Sequence, residues 1–125
     1  ACAVWRGLAA GVWDSPLSAL PAEPASLTAW LDPAISAAAY EVGPEVKTMF
    51  EQQCGEASGN CFQPSDRRGR WMADLTALAR LSLAQAGVTN ITGGDRCTYG
   101  EPEHYFSYRR EGPTTGRMAT LVWLS

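Results

Sequence analysis

Three arginines stand close together near the end of the chain, in the stretch FSYRREGPTTGRM: Arg109, Arg110 and Arg117. A guanidinium is a planar fork that can hold a phosphate or carboxylate through two bonds at once. The glycine- and threonine-rich turn before Arg117 adds the Thr115 hydroxyl and backbone amides, the groups that cradle anion oxygens. Arg6 precedes Gly7 at an expected helix start, where free amides also favour an anion. Arg6, Arg109, Arg110, Thr115 and Arg117 are therefore the candidate residues of a small-anion site. The plainer alternative is that Glu101, Glu103 and Glu111 pair with these arginines and simply hold the segment. Of ten basic residues only Lys47 is a lysine, a ratio that codon bias in a GC-rich genome also explains.

The other reactive side chains are few. His104 is the only histidine, and one ring without a partner makes no proton relay. It reads as a surface residue. Cys97, after the GGD turn, is either a thiol near the site or a small buried hydrophobe. No residue can be named as catalytic from type and spacing. The remaining cysteines are Cys2, Cys54 and Cys61. The spacing of Cys54 and Cys61 fits neither a zinc knuckle nor a redox CxxC pair. With no secretory signal in view, reduced thiols in a cytoplasmic protein are expected; a Cys54–Cys61 disulfide across GEASGN is the alternative.

These residues need elements to hold them. ACAVW reads as a short buried strand that starts abruptly, the mark of a fragment. RGLAAGVW starts a helix that should break near Asp14–Ser15, because Pro16 lacks an amide donor. LTAWLDPAI reads as a buried strand limited by Pro33. GPEVKTMFEQQ is a helix with Pro44 in its first turn. CGEASGN is a surface loop, and CFQPSDRRGR an edge strand and turn. RWMADLTALARLSLAQAG is the clearest helix, with Trp71, Met72, Leu75, Leu78, Ala79, Leu83 and Ala86 on one face. Asp74, Arg80 and Gln85 fall off that face, so Arg80→Ala should be nearly silent. Gly87 caps the helix. VTNIT is a strand and GGD a turn. HYFSYRR and GRMATLVWL, joined by EGPTTG, form a terminal hairpin. In an ideal strand Arg109 and Arg110 point to opposite faces, so both reach one site only through a bulge.

Length and composition bound the function. The 125 residues fit one domain, and 46% hydrophobic with 18% charged residues supports a folded core. A net charge of −3 argues against general nucleic-acid binding, which needs a basic surface. No apolar run is long enough to span a membrane. Helices mixed with strands indicate the α+β class.

The segments WRGLAAGV, AWLDPAI with YEVGPEV, GGDRCTY and FSYRREGPTTGRMATLVWL together resemble, in order, the YfiH-like or laccase-domain family. The resemblance covers residues 1–125 as the C-terminal half of one such domain. It implies a three-layer α/β/α fold with a mixed sheet. It also implies an enzyme: a purine nucleoside phosphorylase with adenosine deaminase activity, or, in the older description, a copper-dependent polyphenol oxidase. The family's metal, zinc or copper, is held by two histidines and a cysteine, a set suited to activating water. This sequence departs from the pattern. The family's His-Ala-Gly before Trp-Arg-Gly is missing, since Val4 directly precedes Trp5, and Asp32 and Ser36 replace loop glycines. No metal is therefore expected to bind this chain alone. Its partners would be small molecules (a purine nucleoside, phosphate or a phenol) and an N-terminal half, or further copies of itself through exposed apolar surface. A non-catalytic truncated remnant is the remaining alternative.

Overall fold

The computed structural model describes residues 4–121. Residues 1–3 of the expected first strand lie outside that range. From Val4 the chain is not strand but helix, α1 (Val4–Ala9), which buries Leu8 and Ala9. The expected break at Asp14–Ser15 comes earlier, at Gly11, whose φ of 69° is left-handed. Pro16 does not break a helix. It stands in the first turn of α2 (Asp14–Ala19), where a missing amide costs no intrahelical bond.

Strand β1 (Thr28–Leu31) ends before Pro33 as expected. It pairs in parallel with β5 (Asn90–Gly93), Thr28 opposite Asn90 and Leu31 opposite Gly93. It is not a buried strand: burial alternates along it, and Trp30 is 58% exposed. A second sheet is antiparallel. β2 (Glu41–Val42), β3 (Phe62–Pro64) and β4 (Trp71–Ala73) lie in the order β2-β4-β3, so CFQP is the expected edge strand. The fold is thus α+β, with parallel and antiparallel pairs.

Helix α3 (Pro44–Cys54) starts on Pro44 and buries Val46, Phe50 and Cys54. CGEASGN is more than a surface loop. Glu56–Cys61 is a 3-10 turn, and Ser58 in its middle is fully buried, its hydroxyl donating to the Gly55 carbonyl at 2.8 Å. Cys54, Cys61 and Cys97 are free thiols.

The clearest expected helix begins later than its periodicity suggests. Trp71 and Met72 belong to β4, and α4 spans Leu75–Gln85. Asp74 decides the boundary: its carboxylate accepts the Ala77 amide at 2.9 Å, an N-cap. At the other end Gly87, at φ 91°, carries the expected left-handed cap. Leu75, Leu78, Ala79 and Leu83 are buried. Leu75, Leu78 and Ala79 pack with Phe50, Phe62, Tyr40, Val42 and Ala73 into one core.

Arg80 is not the idle outer residue that its helix position suggests. Its guanidinium donates to the carbonyls of Ile91 at 2.9 Å and Gly93 at 2.7 Å. Arg80→Ala should therefore destabilise the chain by roughly 1.5–3 kcal/mol, the range for bonds made by a charged group. Denaturant unfolding of the two proteins measures it; a loss below about 0.5 kcal/mol, typical of idle surface sites, would remove the bridge from the account.

The terminal hairpin does not form among the described residues. Tyr108–Glu111 is a helical turn, α5, and Gly112–Thr114 a 3-10 turn; no strand follows through Leu121. Two local facts override the alternation. The Ser107 carbonyl accepts the amides of Arg110 and Glu111, at 3.1 and 2.8 Å, which starts a turn. Gly112, at φ 75°, and Pro113 then end it. Residues 122–125 of the expected second strand lie outside the described range.

Candidate functional site

The parallel strands β1 and β5 run out side by side, and the chain leaving their C-terminal ends encloses a cleft of about 430 Å³. Open α/β sheets bind ligands at this kind of place, beyond the carboxyl ends of parallel strands. The volume falls in the usual range for small-molecule sites. One wall is Ala34–Ala38 after β1, another is Gly94–Cys97 after β5, and the third is the start of α4, from Asp74 to Arg80. Two backbone bonds stitch the first two walls together: the Ala34 amide to the Arg96 carbonyl at 3.3 Å, and the Thr98 amide to the Ala34 carbonyl at 3.0 Å. Gly94 is required here. Its φ is 75°, and a Cβ would come within 2.6 Å of Thr76.

The charges lining the cleft balance: Asp74 and Asp95 against Arg80 and Arg96. Most are committed. Asp74 caps α4, Arg80 holds β5, and Arg96 pairs with Glu101 at 2.6 Å. A cleft of this kind suits a neutral, hydrogen-bonding ligand better than a free dianion.

Cys97 is its reactive group. Sγ lies 3.1 Å from the Ser36 hydroxyl and accepts the amides of Ser36 at 3.4 Å and Gly100 at 3.3 Å. Burial alone pushes the thiol up, but the Ser36 hydroxyl and the amides of Ser36, Gly100 and Tyr99 outweigh it and leave the thiol below its ordinary range. Cys54 is raised by burial, and Cys61 by burial, then by Asp74 and Cys54. At neutral pH iodoacetamide should therefore label Cys97 ahead of Cys54 and Cys61, by about tenfold or more, because the thiolate is the nucleophile. Ser36→Ala should slow that labelling and move its pH midpoint upward. Peptide mapping over time reads both; equal rates at Cys61 and Cys97 would contradict the assignment.

None of the five candidate anion residues lines this cleft. Arg6 is exposed on α1. Arg109 donates to the Glu41 carbonyl at 2.8 Å, with its guanidinium carbon 5.1 Å from the centre of the Tyr40 ring. Arg110 points elsewhere, to the carbonyls of Thr98, Tyr99 and Tyr105, all at 2.7 Å, and to Glu111 at 2.6 Å. Adjacent positions on a helical turn separate the two arginines, as a strand would have done. Thr115 donates its hydroxyl to Glu111. Arg117 donates to the carbonyls of Thr115 and Gly116, at 2.7 and 3.1 Å. The carboxylate alternative holds for Arg110 with Glu111; Glu101 pairs with Arg96 instead. His104 is exposed beside Tyr105. Sequence reasoning missed Ser36, Asp74 and Arg96 as neighbours of one cleft. The one signal for it was the pair of glycines before Asp95, with Cys97 just beyond.

Among the described residues no three of histidine, cysteine, aspartate and glutamate converge as a metal-ligand set. No helix among them is long and apolar enough to cross a membrane.

Comparison with known proteins gives the family. A family model described as multi-copper polyphenol oxidoreductase laccase matches residues 1–125. The purine nucleoside phosphorylase YfiH of Escherichia coli is 48% identical over 120 residues, covering 96% of this chain and 48% of that protein. A purine nucleoside phosphorylase of Pseudomonas aeruginosa is 46% identical, with 96% and 49% covered. A crystal structure of a Neisseria meningitidis protein superposes with a TM-score of 0.77 at 43% identity, over 86% of this chain and 44% of that one. The Bacillus licheniformis protein YfiH superposes with a TM-score of 0.78 at 27% identity, over 86% and 43%. The chain spans about half the length of the curated relatives it matches. By its α+β fold and these matches, the chain belongs to the YfiH-like laccase-domain family.

Proposed function

We propose that this chain forms the C-terminal part of a single laccase domain that acts as a purine nucleoside phosphorylase. The observation that carries the reading is the identity to relatives of that name, 48% and 46%. The charge-balanced cleft beyond β1 and β5, with hydrogen-bonding groups set among small apolar residues, fits a nucleoside. In the reaction phosphate attacks the sugar carbon that bears the base, the carbon–nitrogen bond breaks, and a free base and ribose 1-phosphate form. Deamination of adenosine by the same enzyme belongs to the proposal.

The arginines supply the phosphate side. Arg110 is tied to three backbone carbonyls and to Glu111; Arg6, Arg109 and Arg117 with Thr115 are the remaining candidates for the role. Among the described residues Arg117 donates to the carbonyls of its neighbours Thr115 and Gly116. In a protein that contains both halves of the domain, Arg117→Ala should weaken phosphate use by roughly ten- to a hundredfold, the worth of one charged hydrogen bond. The melting temperature should stay within about 2 °C, as for an exposed site. Unchanged dependence on phosphate would remove Arg117 from the site.

The family also implies a zinc or copper ion. The described residues of this chain do not offer the ligands for it, so no step is assigned to a metal here. Two of the three ligands would come from the other half of the domain, and the third, the histidine of the family's His-Ala-Gly, is missing before Trp5; the chain alone should neither retain stoichiometric metal after dialysis nor cleave inosine. The description of the matching family model favours one second reading, oxidation of phenols. Phosphate separates the two: phosphorolysis requires it, and phenol oxidation with oxygen does not.

A further inference from the structure

Parallel sheets are as a rule covered on both faces, yet among the described residues β1 and β5 stand as a pair. Their two outer edges are not alike. The Gly94 amide donates to the Leu31 carbonyl at 2.9 Å, so the even-numbered residues of β5 face β1. Backbone groups alternate sides along a strand, so the carbonyls of Ile91 and Gly93 face outward. These are the two carbonyls that Arg80 holds. The outer edge of β5 is therefore sealed by a side chain of α4, a common way of blunting an edge.

Among the described residues the outer edge of β1 has no such seal. Leu31 faces β5, so the backbone groups of Thr28 and Trp30 face away from it, and no described strand pairs with them. Beside this edge the Trp30 side chain is 58% exposed, a large apolar surface for a residue in mid-strand. The side chain of Thr120 reaches Asp32 just past the strand's end, at 2.9 Å, but Leu121 after it is 78% exposed.

We propose that the outer edge of β1 is the docking edge for the other half of the domain, which adds an extended, apolar strand there and covers Trp30. The occupant follows from length. Solved relatives superpose on 86% of this chain and still hold more than half of their own residues outside the match. Strand addition supplies main-chain hydrogen bonds for affinity and a side-chain pocket for register. The inference concerns assembly and rests on no assumption about the reaction.

The test co-expresses the 125-residue chain with the half of the Escherichia coli YfiH relative that lies outside the 120 matched residues. A 1:1 complex is expected. In it, amide exchange at Thr28 and Trp30 should slow by about a hundredfold or more relative to the chain alone, while Ile91 and Gly93 change little. Trp30→Ser, which keeps the strand and removes the apolar surface, should weaken the complex about tenfold or more. Arg80→Met should open the second edge and cause self-association of the chain. Protection at Ile91 and Gly93 in place of Thr28 and Trp30 would overturn the proposal. So would a homodimer that protects the β1 edge and excludes the added half, or no complex at all. None of these readouts depends on catalytic activity, so they fail or succeed apart from the proposed reaction.

Discussion

Phe50→Ala should destabilise the chain by about 3–5 kcal/mol, the usual cost of truncating a buried phenylalanine. Phe50 is fully buried, at 0% exposure, and its ring centre lies 6.1 Å from that of Phe62. It joins α3 to the antiparallel sheet and to the buried face of α4, so the cavity would open at the centre of the core. A loss of that size is a large part of the roughly 5–15 kcal/mol that holds a domain together. Urea unfolding with an unchanged slope would give the value directly. Met49, the residue before it, is 40% exposed, and Met49→Ala should cost less than about 1 kcal/mol. Equal losses at the two positions would contradict the packing described.

Arg110→Met should cost about 2–4 kcal/mol, mostly because carbonyls that a charged donor had satisfied lose their partner. Its guanidinium ties the carbonyls of Thr98, Tyr99 and Tyr105 to α5, and its side chain is only 19% exposed. Thr98 follows Cys97 directly, so the same bonds hold one wall of the cleft. Arg110→Lys should recover little, since a point charge cannot replace a fork that serves several acceptors. This variant also separates the roles of the arginines. A structural Arg110 predicts a lower melting temperature. A variant of full stability that had lost its response to phosphate would return Arg110 to the anion site.

The helices and strands were legible where local chemistry decides. Pro44 at a first turn, Gly87 at a cap and Pro33 after a strand acted as their types require. Errors came where contacts that no hydrophobic period encodes decide. Trp71 and Met72 fit the helical face by period, but β2 and β3 recruit them into a sheet, and the Asp74 side chain then starts the helix. The alternation of HYFSYRR reads as strand, but Ser107, Gly112 and Pro113 turn the backbone. Arg80 looked idle because helix periodicity says nothing of carbonyls on a strand eleven residues away. The cleft was the least legible feature. Its walls come from residues near 36, 76 and 96, and only the parallel pairing of β1 with β5, which no local pattern announces, brings them together.

The most direct measurement is base release from inosine by this chain, with His-Ala-Gly restored before Trp5, co-purified with the other half of the domain. Hypoxanthine and ribose 1-phosphate should appear in equal amounts, only when phosphate is present, with neither half active alone. Hypoxanthine release that ignores phosphate, or a stable complex that oxidises phenols and leaves inosine intact, would contradict the proposed function.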